Sequence, residues 1–180
     1  MILITGASGK AGQALIRALR QHDAQVRAFV RQPEQMAQLQ ALGVQEVVVG
    51  NLRHATDLDR AGKGIDAIYH ICPNMQPDEV AIAENVIQAA QANGVSRFVY
   101  HSVLHSQTEE MPHHWRKLRV EELLFKAKLD FTILQPAAYM QNVLAHWPAI
   151  TAQGIYRVPY AVTTRLGMVD LADVAEVAAK

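Results

Sequence analysis

Glycines at positions 6, 9 and 12 follow directly on a short apolar stretch, Met1-Ile-Leu-Ile4, and an amphipathic helical pattern starts within the same run. Strand, glycine-rich turn and helix, in that order, is the arrangement that a dinucleotide pyrophosphate needs. Gly6 can take backbone angles closed to other residues, Gly9 lets the main chain approach phosphates with no Cβ between them, and Gly12 allows tight helix–strand packing. Unpaired N–H groups at the helix start would face the anion. The run Gly6, Ala7, Ser8, Gly9, Lys10, Ala11 and Gly12 is therefore the candidate phosphate cradle, against the plainer reading of a tight turn in a nucleotide-free α/β protein. A second chemical spacing is His113 and Lys117, four apart in a helical stretch and so on one face. A histidine there can donate a proton, since its ordinary pKa lies near neutrality.

The elements that must position these residues alternate. After the first helix, about Lys10 to His22, with Ala11, Leu15, Ala18 and Leu19 on its apolar face, strands are expected at Ala24–Arg31, Val44–Gly50, Ile65–Cys72, Ser96–Val103 and Asp130–Leu134. Helices are expected between them at Pro33–Leu42, Thr56–Ala61, Asp78–Asn93 and Pro112–Lys128. Strands alternating with helices imply an α/β fold, a doubly wound parallel sheet with helices on both faces. Near the end, Asp170 caps a helical pattern that carries no glycine or proline stop, so the expectation is a chain lacking part of a longer C-terminal region.

With 180 residues, 50% of them hydrophobic, the chain fits one domain over residues 1–180 with one core. A formal net charge of +0 gives no footprint for nucleic acid or an anionic membrane. Cys72 is the single cysteine, which leaves no disulfide framework or thiolate zinc site and fits a reducing compartment. There is no basic leader and no apolar run of bilayer length, so a cytoplasmic location is expected.

Seven separated segments then resemble one family, the NmrA-like branch of the atypical short-chain dehydrogenases/reductases. They are ITGASGKAG at Ile4, VRAFVRQPEQ at Val26, GNL at Gly50, GVSRFVYHSV at Gly94, KLRVEELL at Lys117, FTILQPAAYMQN at Phe131 and GMVDLADVAEVAA at Gly167. The resemblance implies NADP(H) on a Rossmann core, followed by a smaller substrate-covering region. It places Arg31, at the carboxyl end of the second strand, beside the 2′-phosphate, in a stretch with no acid to accept ribose hydroxyls. It places Asn51, next to Leu52, beside the adenine, although Asn51 reads equally well as a turn-former. Cys72 borders the cofactor ribose by topology, and reads as a small buried filler rather than a reactive thiol.

In the wider dehydrogenase pattern a Ser ends the fifth strand and a Tyr-x-x-x-Lys helix follows. Ser102 and Lys117 stand in those places, but His113 replaces the Tyr. Lys117 then reads as a ribose or substrate ligand, or as the partner of Glu121 one turn on; His113 reads as a proton donor or as a surface histidine. Tyr139, Met140 and Asn142 either line the substrate cleft, as the resemblance implies, or pack. No metal site is expected: His101 and His105 do not converge, and His113 and His114 should diverge. Two functions remain open. One is an NADPH-dependent reductase passing hydride to a small quinone-like or aromatic acceptor, and the other is a non-catalytic NADP(H)-sensing regulator acting through protein contacts.

Overall fold

Six parallel strands form the central sheet in the order β3-β2-β1-β4-β5-β6, in a computed structural model that describes all 180 residues. The strands are β1 (Ile2–Ile4), β2 (Val26–Val30), β3 (Glu46–Val49), β4 (Ala67–His70), β5 (Arg97–His101) and β6 (Phe131–Leu134). Each is shorter than its apolar run. A parallel ladder lasts only as long as its neighbour, and β1 offers just Ile2, Leu3 and Ile4 to Val26–Ala28 on one side and Ala67–Tyr69 on the other. Arg31 and Cys72 consequently lie beyond the ends of β2 and β4, in the connections where ligands of such sheets bind.

Helices α1 (Lys10–Arg20), α2 (Met36–Ala41), α3 (Ala55–Gly62), α4 (Glu79–Ala92) and α5 (Pro112–Lys126) fill the crossovers, and α7 (Leu171–Ala179) returns after the short α6 (Trp147–Gln153). One core layer joins Leu15, Ile16 and Leu19 of α1 and Leu39 of α2 to the sheet, with Ala178 and Ala179 of α7 against it. The other joins Leu58 of α3, Ile82, Val86 and Ala90 of α4, and Val120 and Leu124 of α5 to Leu3, Ile68, Phe98 and Tyr100. The buried stripe of α1 is Gly12, Leu15, Ile16 and Leu19, a cleaner i, i+3, i+4, i+7 set than the alanine-containing face expected from the sequence. Asp170 caps α7 as expected, its side chain accepting from the Ala172 N–H at 2.7 Å.

The 3-10 helix at Met140–His146 and α6 were not anticipated, nor were two further features. The expected helix over Pro33–Leu42 begins as a 3-10 turn at Pro33–Gln35 before α2. A second, two-stranded parallel sheet pairs β7 (Ala138–Tyr139) with β8 (Met168–Val169). Two-residue strands carry no periodicity to detect. No helix is long and apolar enough to cross a membrane.

Among the glycines the closest approach is at Gly12, where an added Cβ would lie 2.5 Å from the Gly6 carbonyl oxygen and 2.6 Å from the Ala7 Cα. Backbone on both sides leaves nothing to yield. Gly12→Ala is expected to cost about 3 kcal/mol, lowering the melting temperature by roughly 6 to 12 °C, as differential scanning calorimetry would show.

Candidate functional site

Between β1 and α1 the chain turns through Gly6, whose φ of +62° suits glycine. A Cβ there would also meet the Ile71 carbonyl oxygen at 2.8 Å. Gly9 differs: its only near neighbour would be the Gly6 oxygen at 3.3 Å, so its missing side chain leaves an open face. Gly9 is the N-cap of α1 with no side-chain cap, the first turn holds no acid, and the N–H groups of Lys10, Ala11 and Gly12 find no acceptor in the chain. Unpaired donors at the positive end of a helix, under a surface a Cβ would have filled, suit a pyrophosphate. Ala7 is buried, while Ser8 is pinned from two sides: its carbonyl accepts from Gln13 at 2.7 Å and its hydroxyl from Gln35 at 2.8 Å.

The Gln35 contact ties the loop carrying Arg31 to the glycine turn. Arg31 is exposed and makes no hydrogen bond or ion pair with the rest of the chain. Arg27 is committed to Glu46 at 2.7 Å and to the carbonyls of Ala61 and Lys63, which leaves Arg31 as the available guanidinium. Asn51 acts as a turn-former, its side-chain oxygen accepting from the Arg53 N–H at 3.1 Å, while its amide NH₂ remains without an acceptor in the chain. Leu52 packs against the core. Cys72 is buried, and burial pushes its thiol up to about 12, which favours the protonated form over the thiolate.

The strand pleat sorts the residues at the end of β5. Tyr100 faces α4 and α5, where its hydroxyl donates to Glu79 Oε1 at 2.9 Å. Lys117 donates to the same oxygen at 2.6 Å, and more loosely to the His101 carbonyl at 3.4 Å. The partner of Lys117 is therefore Glu79, 38 residues away, and not Glu121. Glu121 instead accepts from Ser102, Ser106 and Gln135, which places the Ser102 hydroxyl inside a buried polar cluster rather than with Lys117. His113 is half-buried; burial, His114 and Lys117 lower its pKa, so it is neutral at pH 7. Contrary to expectation His113 and His114 do not diverge, their rings meeting edge to face with centroids 4.5 Å apart. No three metal-donor side chains converge.

His101 faces the other side of the sheet. Its Nδ1 shares a hydrogen bond of 2.7 Å with the Tyr69 hydroxyl, and its Nε2 is bonded to the Tyr139 hydroxyl. His70, fully buried beside Tyr100, pairs Nδ1 with the Thr5 hydroxyl at 2.8 Å. Burial lowers both histidines, to about 4 and about 3, so both are neutral. Sequence reasoning passed over Glu79, Gln35, Tyr69 and the bonds of His101. The one available signal was a Tyr-His pair closing both β4 and β5, whose meaning depends on a register that sets His70 opposite Tyr100.

A six-stranded sheet in this order, with an anion-ready glycine turn at the switch between β1 and β4, defines a Rossmann-type dinucleotide-binding domain. The chain belongs to the NAD(P)H-binding family, whose model matches residues 6–180. It is 29% identical over 179 residues to the NAD(P)H azoreductase of Xenophilus azovorans, covering 99% of this chain and 62% of that one. The crystal structure of the NADPH-dependent quinone oxidoreductase QOR2 of Escherichia coli, complexed with NADPH, superposes with a TM-score of 0.87 at 29% identity, over 99% of this chain and 63% of that one. The triphenylmethane reductase of Citrobacter sp., complexed with NADP(H), gives 0.86 at 25% identity, over 99% and 64%. The chain thus spans somewhat under two thirds of the length of each.

Removing Lys117 would strand the Glu79 carboxylate, whose side chain is 1% exposed. Lys117→Met is expected to cost about 3 to 5 kcal/mol, and adding Glu79→Gln to recover most of it. Urea unfolding of the two single variants and the double variant measures this coupling.

Proposed function

We propose that this protein is an NADPH-dependent reductase that passes hydride to a small quinone-like or aromatic acceptor. The observation that carries the reading is the poverty of acid at the carboxyl ends of β4 and β5. The Tyr of the dehydrogenase pattern is absent, Lys117 is paired with Glu79, and His113 is neutral. An acceptor whose reduced form is a stabilised anion needs little acid, and the acceptors named for the azoreductase, quinone oxidoreductase and triphenylmethane reductase relatives are aromatic or quinonoid. The dinucleotide supplies the hydride when bound. The N–H groups at the start of α1 hold its pyrophosphate, Arg31 holds the 2′-phosphate, Asn51 offers its free amide to the adenine, and Lys117 holds the ribose or the acceptor. Ser102, through Glu121, braces the strand end on which Lys117 rests. His113 supplies a proton at acidic pH. A buried single cysteine and a reduced cofactor suit the cytoplasm.

Two outcomes check this. Arg31→Ala should weaken NADPH by about ten- to a hundredfold, the range of a charge-assisted phosphate contact, and leave NADH nearly unchanged in fluorescence titrations. Equal affinities for both cofactors in the wild type would contradict it. For His113, the lowered pKa means that the imidazolium is lost as pH rises through a midpoint below about 6.5. Quinone turnover should climb as pH falls through that midpoint, and His113→Ala should flatten the profile without weakening NADPH binding.

A further inference from the structure

Tyr139 lies past the carboxyl end of β6, half-buried, in the segment that pairs with β8. Its hydroxyl is bonded to His101 Nε2, while Nδ1 of the same ring meets the Tyr69 hydroxyl at 2.7 Å. A neutral imidazole has one N–H and one lone pair, so the three groups form a chain with two orientations. Tyr69 decides between them. It is only 3% exposed and its hydroxyl has no partner other than His101. If Tyr69 accepted from Nδ1–H, its own O–H would be buried with nothing to receive it, which is costly. Tyr69 therefore donates to Nδ1, Nε2–H donates to the Tyr139 oxygen, and the Tyr139 O–H is left to point away from His101.

We propose that Tyr139 is the hydrogen-bond donor to the oxygen of the hydride acceptor, with its direction set by Tyr69 through His101. This rests on the reductase reading. Lys117 approaches the same strand end from the other side, 3.4 Å from the His101 carbonyl. A quinone that takes a hydride from the dihydronicotinamide becomes a hydroquinone monoanion, and the nicotinamide becomes a cation; the second proton comes from water or His113. Tyr139 keeps its own proton, since burial pushes its phenol up to about 12. Its contribution is a fixed O–H dipole aimed where negative charge develops, and donors of that kind are worth about a hundredfold or more in rate.

The test compares the wild-type chain with Tyr139→Phe, both loaded with NADP⁺. The probe is para-nitrophenolate, a stand-in for the reduced anion, followed by absorbance at a pH where it is ionised. Its affinity should fall by about ten- to a hundredfold in the variant. Equal binding by the two proteins, or none by the wild type, overturns the assignment. In turnover, the ratio of quinone to cationic triarylmethane dye should drop about thirtyfold or more, because hydride transfer to a dye cation develops no oxyanion. An equal loss with both acceptors would make Tyr139 structural and also overturn it. If the wild type reduced neither acceptor while the phenolate loss held, the reductase reading would fail and the oxyanion donor would stand.

Discussion

Between Gly6 and Gly12 the turn and the first helical turn of α1 run backbone against backbone, and the geometry of the candidate phosphate site depends on that approach. It seats the start of α1 directly over the end of β1, so three unpaired N–H groups reach the edge of the sheet at its switch point. The same approach fixes Ser8, which Gln13 and Gln35 then grip from α1 and from the turn after β2. Arg31 inherits its place from this arrangement. One steric condition thus sets both the glycine turn with its unpaired N–H groups and, through Gln35, the loop that carries Arg31.

A second organising feature is the set of buried polar groups at the ends of β4 and β5. Pleating sends Tyr100 and Ser102 to one face and His101 to the other, and each meets a different partner: Glu79, Glu121, and the two tyrosines. Buried polar groups persist when their hydrogen bonds are satisfied. Only Nε2 of His70 lacks a partner here, and with Nδ1–H given to Thr5 it is a bare lone pair, the cheaper kind of omission. The result is a strand-end edge made of neutral dipoles and one neutralised cation. Such an edge suits hydride transfer better than proton transfer.

Much of the architecture is legible in the residues. The glycine turn, the alternation of strands and helices, the parallel sheet and the Asp170 cap all depend on local chemistry, which sequence carries directly. The place of Arg31 just past the end of β2 is legible as well, because it lies within one short stretch. Lys117 is only half legible. Its helix face follows from spacing, but its partner comes from α4, and no local rule separates Glu79 from Glu121. The bonds of His101 need the register of β4 against β5, where a shift of one residue would exchange which tyrosine meets which histidine. Short pairings such as β7 with β8 leave no pattern at all.

The placement of β1 also bears on how the chain assembles. β1 lies in the middle of the sheet yet precedes both of its neighbours in the chain, so neither flank exists when its residues leave the ribosome. Gly6 packs against Ile71, and the amino terminus itself pairs with Asp66. The glycine turn, complete in sequence by Gly12, must therefore wait until β4 has been synthesised and docked. Long-range parallel pairing of this kind folds slowly. Until then the apolar residues of β1 and α1 stay uncovered, and that interval is when the nascent chain is most open to misassociation.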